Sequence, residues 1–221
     1  ASAHRLTEWL RKCDKSEIAV SVSAANEQHY EVPAKFFERV LGKYSKYSCG
    51  LWTQPTDTLD SAEARMLEKT CVRAEIVDGM RILDLGCGWG SFSLWAAEHY
   101  PKSQIVGVSN SASQREHILQ VAKSRGLENI EIITQDVNQL TLEVTKEMPF
   151  DRIVSIEMME HTRNWRQLLR RAAYWLKPNG KMFIHIFTHR TVGYEFTSRS
   201  DSAWMARHFF TGGQMPADSH M

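Results

Sequence analysis

Arg81-Ile82-Leu83-Asp84-Leu85-Gly86-Cys87-Gly88-Trp89-Gly90-Ser91 reads as a buried strand that ends in an acid and opens into a glycine loop. Glycines at alternate positions let the backbone take positive φ and approach a ligand closely. The next segment, Phe92 to His99, has helical spacing, so the loop leads into a helix N-terminus. The spacing is GxGxG followed by serine, distinct from the GxGxxG of the dinucleotide fingerprint, and Asp84 stands two residues before the first glycine. A βα turn whose glycines only make the bend is the plainer alternative.

Downstream, strands and helices alternate in the manner of parallel βαβ units. The pattern predicts strands at Arg81 to Leu85, Gln104 to Ser109, Ile130 to Thr134, Asp151 to Ile156 and Lys181 to Phe187. Helices are predicted at Ser91 to His99, Ser111 to Arg125 and Trp165 to Leu176, with a weaker one near Gln139 to Lys146. In the helix from Trp165, the residues Leu168, Leu169, Ala172 and Leu176 continue one apolar stripe, which Pro178-Asn179-Gly180 ends. Upstream, Asp60-Ser61-Ala62-Glu63 has the form of a capping box, with Asp60 as the cap of a helix running to about Val77.

Residues 1–57 differ in character: helical first, then aromatic and loop-like. We expect them to form an N-terminal helical cap on an α/β core at 58–221. Leu6, Trp9, Leu10 and Cys13 recur at helical spacing, a face suited to packing on the core or, alternatively, to a membrane surface. After the fifth strand only loop chemistry remains at Thr211 to Pro216, so the last strands of such a sheet are expected to be absent and the chain to be part of a longer protein.

Lys and Arg (27) nearly balance Asp and Glu (26), which leaves no global field to recruit nucleic acid. The apolar run Met182 to Phe187 is too short to span a bilayer, and no signal segment opens the chain, so a soluble, cytoplasmic protein is expected. Cys13, Cys49, Cys71 and Cys87 form no CxxC pair and read as reduced thiols, with no metal site.

The glycine loop with its preceding acid resembles motif I of the S-adenosylmethionine-dependent methyltransferases of Rossmann-like fold. More of the chain, from about Ala25 to Pro216, resembles the cyclopropane fatty acid synthase and coclaurine N-methyltransferase superfamily. The likeness is carried by Asn26 to Pro33, Tyr47-Ser48-Cys49-Gly50-Leu51-Trp52, Gly107 to Ser111 with Gln114, Glu157-Met158-Met159-Glu160-His161, and Phe209-Phe210-Thr211-Gly212-Gly213. The resemblance implies S-adenosylmethionine as cofactor. Gly86 and Gly88 would approach its amino acid part, and Asp84 its ammonium. Tyr47 and Ser48 would line the pocket, while Ser109, Asn110 and Gln114 would replace the acid that usually binds the ribose. Asp136, followed by Val137, would meet the adenine.

The family divides by chemistry. Its lipid-modifying branch methylates an alkene carbon and uses a bound bicarbonate, with a small residue three positions before the Glu-His pair. Here that residue is Glu157, whose charge repels an anion. An amine acceptor needs its lone pair freed, and an alkylammonium with a pKa of about 10.4 costs roughly 4 to 5 kcal/mol to deprotonate at neutral pH. Glu157, Glu160 and His161, at i, i+3 and i+4, would share one face of a helical turn and take that proton, with Glu160 and His161 as the acid/base pair. Their spacing lacks the two histidines of a zinc motif. Cys49 and His185 are assigned to the substrate pocket, with His189 as support and Trp89, Trp52 and Phe210 as aromatic walls. The expected activity is therefore N-methylation of a small-molecule amine. The alternatives are a carbon methyltransferase acting on unsaturated acyl chains, which would bring membrane contact, and a non-catalytic cofactor-binding module.

Overall fold

Strand β1 (Arg81–Leu85) is buried along its whole length at the centre of a parallel sheet. The computed structural model describes residues 2–20, 34–141, 143, 148–197, 204–208 and 210–220. With β2 (Gln104–Ser109), β3 (Ile130–Thr134), β4 (Phe150–Ile156) and β5 (Leu176–His185), the order is β3-β2-β1-β4-β5. The helices are α1 (Ser2–Asp14), α2 (Ala34–Val40), α3 (Leu59–Arg73), α4 (Ser91–His99), α5 (Ala112–Ser124), α6 (Trp165–Trp175) and α7 (Trp204–His208). This is the parallel βαβ architecture expected from the alternation, and the Rossmann-like fold that the resemblance implies. A short antiparallel pair, β6 (Tyr194–Glu195) and β7 (Gln214–Met215), stands apart from the main sheet.

Alternation of side chains along each strand divides the core between the two sheet faces. Leu83, Leu85, Val106, Val108 and Ile153 pack under Trp165, Leu168, Ala172 and Trp175 of α6. Ile82, Ile105 and Val154 pack with Leu67 and Cys71 of α3 and with Phe92, Trp95 and Ala96 of α4. Both faces are covered, which is why the central strands read as continuous apolar runs. The chain runs outward from β1 to β3 and then returns to the other side of β1 at β4. Strand order thus reverses at β1, and the crevice beyond its carboxyl end is where such a sheet takes ligands.

Strands β1 to β3 and helix α4 have their expected bounds. Helix α3 is a correction: its cap is Thr58, not Asp60, and it ends at Arg73, short of Val77. Thr58 Oγ1 accepts the Ser61 N–H at 3.3 Å, while Ser61 Oγ accepts the Thr58 N–H at 3.0 Å. Asp60 instead accepts the Lys43 N–H at 2.7 Å. Thr58→Ala should lower stability by about 1 kcal/mol, read as a fall of roughly 2–4 °C in Tm; an unchanged Tm would show that the reciprocal bonds contribute nothing.

Helix α6 stops at Trp175 because Leu176 already pairs with Phe150, so β5 starts before Pro178-Asn179-Gly180. These residues form an irregularity between the Phe150 and Arg152 registers, with Asn179 at φ 65°. Strand β5 ends at His185, two residues before the expected limit. The weak helix at Gln139 to Lys146 falls partly outside the described residues, and Gln139 to Thr141 are not helical. Asn26 to Pro33 and Phe209 also lie outside them.

The N-terminal helix docks on the core. Asn164 Nδ2 donates to the Asp14 and Ser16 carbonyls, and Arg163 stands over the Trp9 ring at 5.4 Å. The Arg163 N–H donates to Ile18 O at 2.6 Å, and Ala19 bridges to Thr162. From the other side Gln214 Nε2 donates to the Thr162 carbonyl at 2.8 Å. Among the described residues no helix is long and apolar enough to cross a membrane.

Candidate functional site

The loop after β1 is pinned to β2, since the Gly86 and Cys87 N–H groups both donate to Val108 O at 3.0 and 2.9 Å. Its glycines differ in purpose. A Cβ on Gly86 would meet Met158 Cγ at 2.5 Å, and one on Gly90 would meet Ile118 Cγ1 at 2.6 Å, so close packing demands both. Gly88 has φ +53°, and a Cβ there would stand in open space with nothing within 4 Å. That space belongs to a cavity of about 420 Å³ at the carboxyl ends of the central strands, a volume suited to a small organic ligand.

Asp84, Gly86, Gly88, Tyr47 and Ser48 line this cavity. So do Ser109, Asn110, Gln114, Asp136 and Val137. Asp84 is 2 % exposed and accepts the Ser93 hydroxyl at 2.6 Å. Burial pushes its carboxyl up to about 7, against the opposing pull of Ser93 and Lys46. Ser109 Oγ donates to Gln114 Oε1 at 2.6 Å and accepts the Ser111 N–H at 3.1 Å. Gln114 Nε2 is buried with no hydrogen-bond partner among the described residues, as is Ser91 Oγ on the same wall. Buried donors of this kind carry a cost unless a ligand meets them. Asp136 Oδ1 accepts the Asn138 N–H at 2.8 Å, so it also shapes its own turn.

The opposite wall follows β4. Glu157 takes φ +49°, and its N–H donates to His185 O at 2.7 Å. One 3-10 turn, Met159–His161, comes next. Glu157 and His161 line the cavity, but Glu160 does not. This corrects the expectation of one shared helical face: the left-handed Glu157 redirects the chain before a turn only three residues long. Glu160 is fully buried, with Oε1 accepting the Phe187 N–H at 2.9 Å and Oε2 unpartnered among the described residues. Burial pushes its carboxyl up to about 7, and the Glu157 charge adds to the rise. The His161 ring stacks on Phe210 at 5.0 Å and 18°, and both line the cavity.

Cys49 and His185, assigned above to the substrate pocket, stand beside Glu157 but do not form the cavity wall. Cys49 Sγ lies 3.7 Å from His185 Nε2. His189 is part of a loop, its Nδ1 accepting the Thr191 and Val192 N–H groups. Of the proposed aromatic walls, Trp89 and Phe210 face the cavity, whereas Trp52 is 56 % exposed on the surface.

Several wall residues escaped the sequence reading, the charged Lys46 among them. Lys46 is 3 % exposed, and its Nζ donates to Ser48 Oγ. Burial pushes its ammonium down, while Cys49, Glu157, Glu63 and Asp84 hold it up. Its only signal was its place next to Tyr47.

(S)-coclaurine N-methyltransferase of Thalictrum flavum subsp. glaucum is 36 % identical over 95 % of this chain and 56 % of its own length. Cyclopropane-fatty-acyl-phospholipid synthase of Escherichia coli (strain K12) is 32 % identical over 86 % of this chain and 46 % of its own. A crystal structure of coclaurine N-methyltransferase bound to N-methylheliamine and SAH has a TM-score of 0.90 at 31 % identity, over 98 % of this chain and 62 % of that one. The chain thus spans about half to three fifths of the length of these proteins. The model of the mycolic acid cyclopropane synthetase family matches residues 19–221. With the glycine loop, the β4 turn and the sheet order all in place, the chain belongs to the mycolic acid cyclopropane synthetase family.

Proposed function

We propose that the chain carries the cofactor-binding and proton-accepting parts of an S-adenosylmethionine-dependent methyltransferase acting on the nitrogen of a small amine. One observation carries this reading. Glu157 and His161 line the same cavity as the glycine loop and Gln114, so methyl donor and proton acceptor would meet in one space. The coclaurine N-methyltransferase relatives support an aromatic, alkaloid-like amine as the acceptor class.

The cavity fits such a cofactor on its own terms. Gly88 leaves room at the loop, the Asp84 carboxylate suits an ammonium, and the unpartnered Gln114 Nε2 suits a ribose oxygen. Asp136 and Val137 would flank the adenine. When bound, S-adenosylmethionine supplies an electrophilic methyl on a sulfonium. Glu157 would draw the substrate ammonium to the cavity by charge, and His161, held flat against Phe210, would accept its proton and so free the nitrogen lone pair before methylation. Glu160 acts from behind, anchoring the Phe187 backbone. Residues 1–57 we read as a cap over this site, and the setting as cytoplasmic, which the free Cys13, Cys49, Cys71 and Cys87 suit.

The test is calorimetric titration with S-adenosylhomocysteine, followed by transfer of labelled methyl to coclaurine and to unsaturated phospholipid. Methylated amine without a bicarbonate requirement supports the reading; methylated lipid that needs bicarbonate would replace it with the cyclopropane synthase chemistry. Binding without any transfer would leave a non-catalytic module.

Asp84 gives this binding a pH dependence. Without ligand its carboxyl titrates near 7, and a cofactor ammonium beside it favours the charged form, so binding below that pH expels a proton. Affinity for S-adenosylhomocysteine should therefore rise by up to about tenfold per pH unit below neutrality and level off above about pH 7. Asp84→Asn should remove this slope. A wild-type affinity that is flat with pH would take Asp84 away from the ammonium.

A further inference from the structure

We propose that Cys49, Glu157 and His185 form a binding site for a thiophilic divalent cation of the zinc class, at the edge of the cavity. The Cys49 thiol, a Glu157 carboxylate oxygen and a His185 ring nitrogen lie within 4.8 Å of one another. Tetrahedral zinc with Zn–S near 2.3 Å and Zn–N near 2.05 Å separates these two donors by about 3.6 Å. Cys49 Sγ and His185 Nε2 are 3.7 Å apart, already at the span a shared ion requires. Histidine, carboxylate and thiolate are all established zinc ligands, and three of them leave a fourth position for water.

The elements hold these ligands from different directions. His185 ends β5, Glu157 follows β4, and the Glu157 N–H bond to His185 O ties the two backbones together. Cys49 comes from the loop before α3 and is exposed, which gives an ion a route from solvent. Coordination replaces the thiol proton with the metal and releases that proton to water; with the carboxylate, the site then offers two negative charges to a dication. No linear motif marks this site, because its ligands come from three distant positions.

The site goes beyond the methyltransferase reading but shares Glu157 with it. An ion there engages the carboxylate that would attract the amine, so zinc should compete with the amine and leave the glycine loop untouched.

Cobalt(II) is the probe. Added to the whole chain, it should give the intense visible bands of tetrahedral cobalt and a thiolate-to-cobalt charge-transfer band in the near ultraviolet, both removed by zinc. Cys49→Ser should abolish the charge-transfer band, and His185→Gln should weaken cobalt binding at least roughly tenfold. Cys13, Cys71 and Cys87 are buried and serve as internal controls. A weak octahedral spectrum in the wild-type chain, or a charge-transfer band that persists in Cys49→Ser, would overturn the proposal. The cobalt spectrum needs no turnover, so it stands or falls apart from amine methylation.

Discussion

Gly88→Asp is expected to weaken S-adenosylhomocysteine binding by more than about 100-fold, roughly 3 kcal/mol, while the chain stays folded. The backbone at Gly88 has φ +53°, a left-handed conformation that aspartate adopts more readily than most residues, at a cost of roughly 1 kcal/mol. No atom within 4 Å opposes the added Cβ, so the core is not disturbed. The side chain instead enters the cavity against the wall assigned to the cofactor. Gly90→Asp provides the contrast, because its Cβ would collide with the fully buried Ile118 and should depress Tm instead. A Gly88→Asp protein that binds like wild type would show that the loop does not cradle the ligand.

Loss of the His161 imidazole should be the largest catalytic effect. General acid and base groups contribute about 10²–10⁴-fold, and His161→Ala should lower kcat by an amount in that range with S-adenosylhomocysteine affinity nearly unchanged. Glu157→Gln should act differently, raising KM for a cationic amine more than it lowers kcat, since a carboxylate that attracts the substrate contributes mainly to binding. His161→Ala with full kcat would transfer the proton to Glu157 or to water.

The sheet was legible in sequence because a parallel strand buried on both faces leaves an apolar run that little else imitates, as in Arg81 to Leu85. The glycine loop was legible for the same local reason. Other features depended on competition between similar signals. Thr58 and Asp60 are both good caps, and only the approach of Lys43 settles which one turns toward the helix. Glu157 and Glu160 look equivalent in sequence, yet a left-handed residue and a short turn send one to the cavity and the other into the core. Lysine is ordinarily a surface residue, and only tertiary packing makes Lys46 a wall. Cys49 and His185 meet through the fold of the sheet, which no spacing rule records.

The segment just after His161 is held by both flanks of the chain, by Ile18 and Ala19 on one side and by Gln214 on the other. Such contacts close very large loops, so their entropy must be met before they return any stability. The glycine loop is pinned to the neighbouring β2, whereas the wall around His161 draws in addition on contacts from distant parts of the chain. The two halves of the cavity therefore differ in the length of chain that their contacts close, and hydrogen exchange in the native protein should register the His161 side and its two tethers as one cooperative opening.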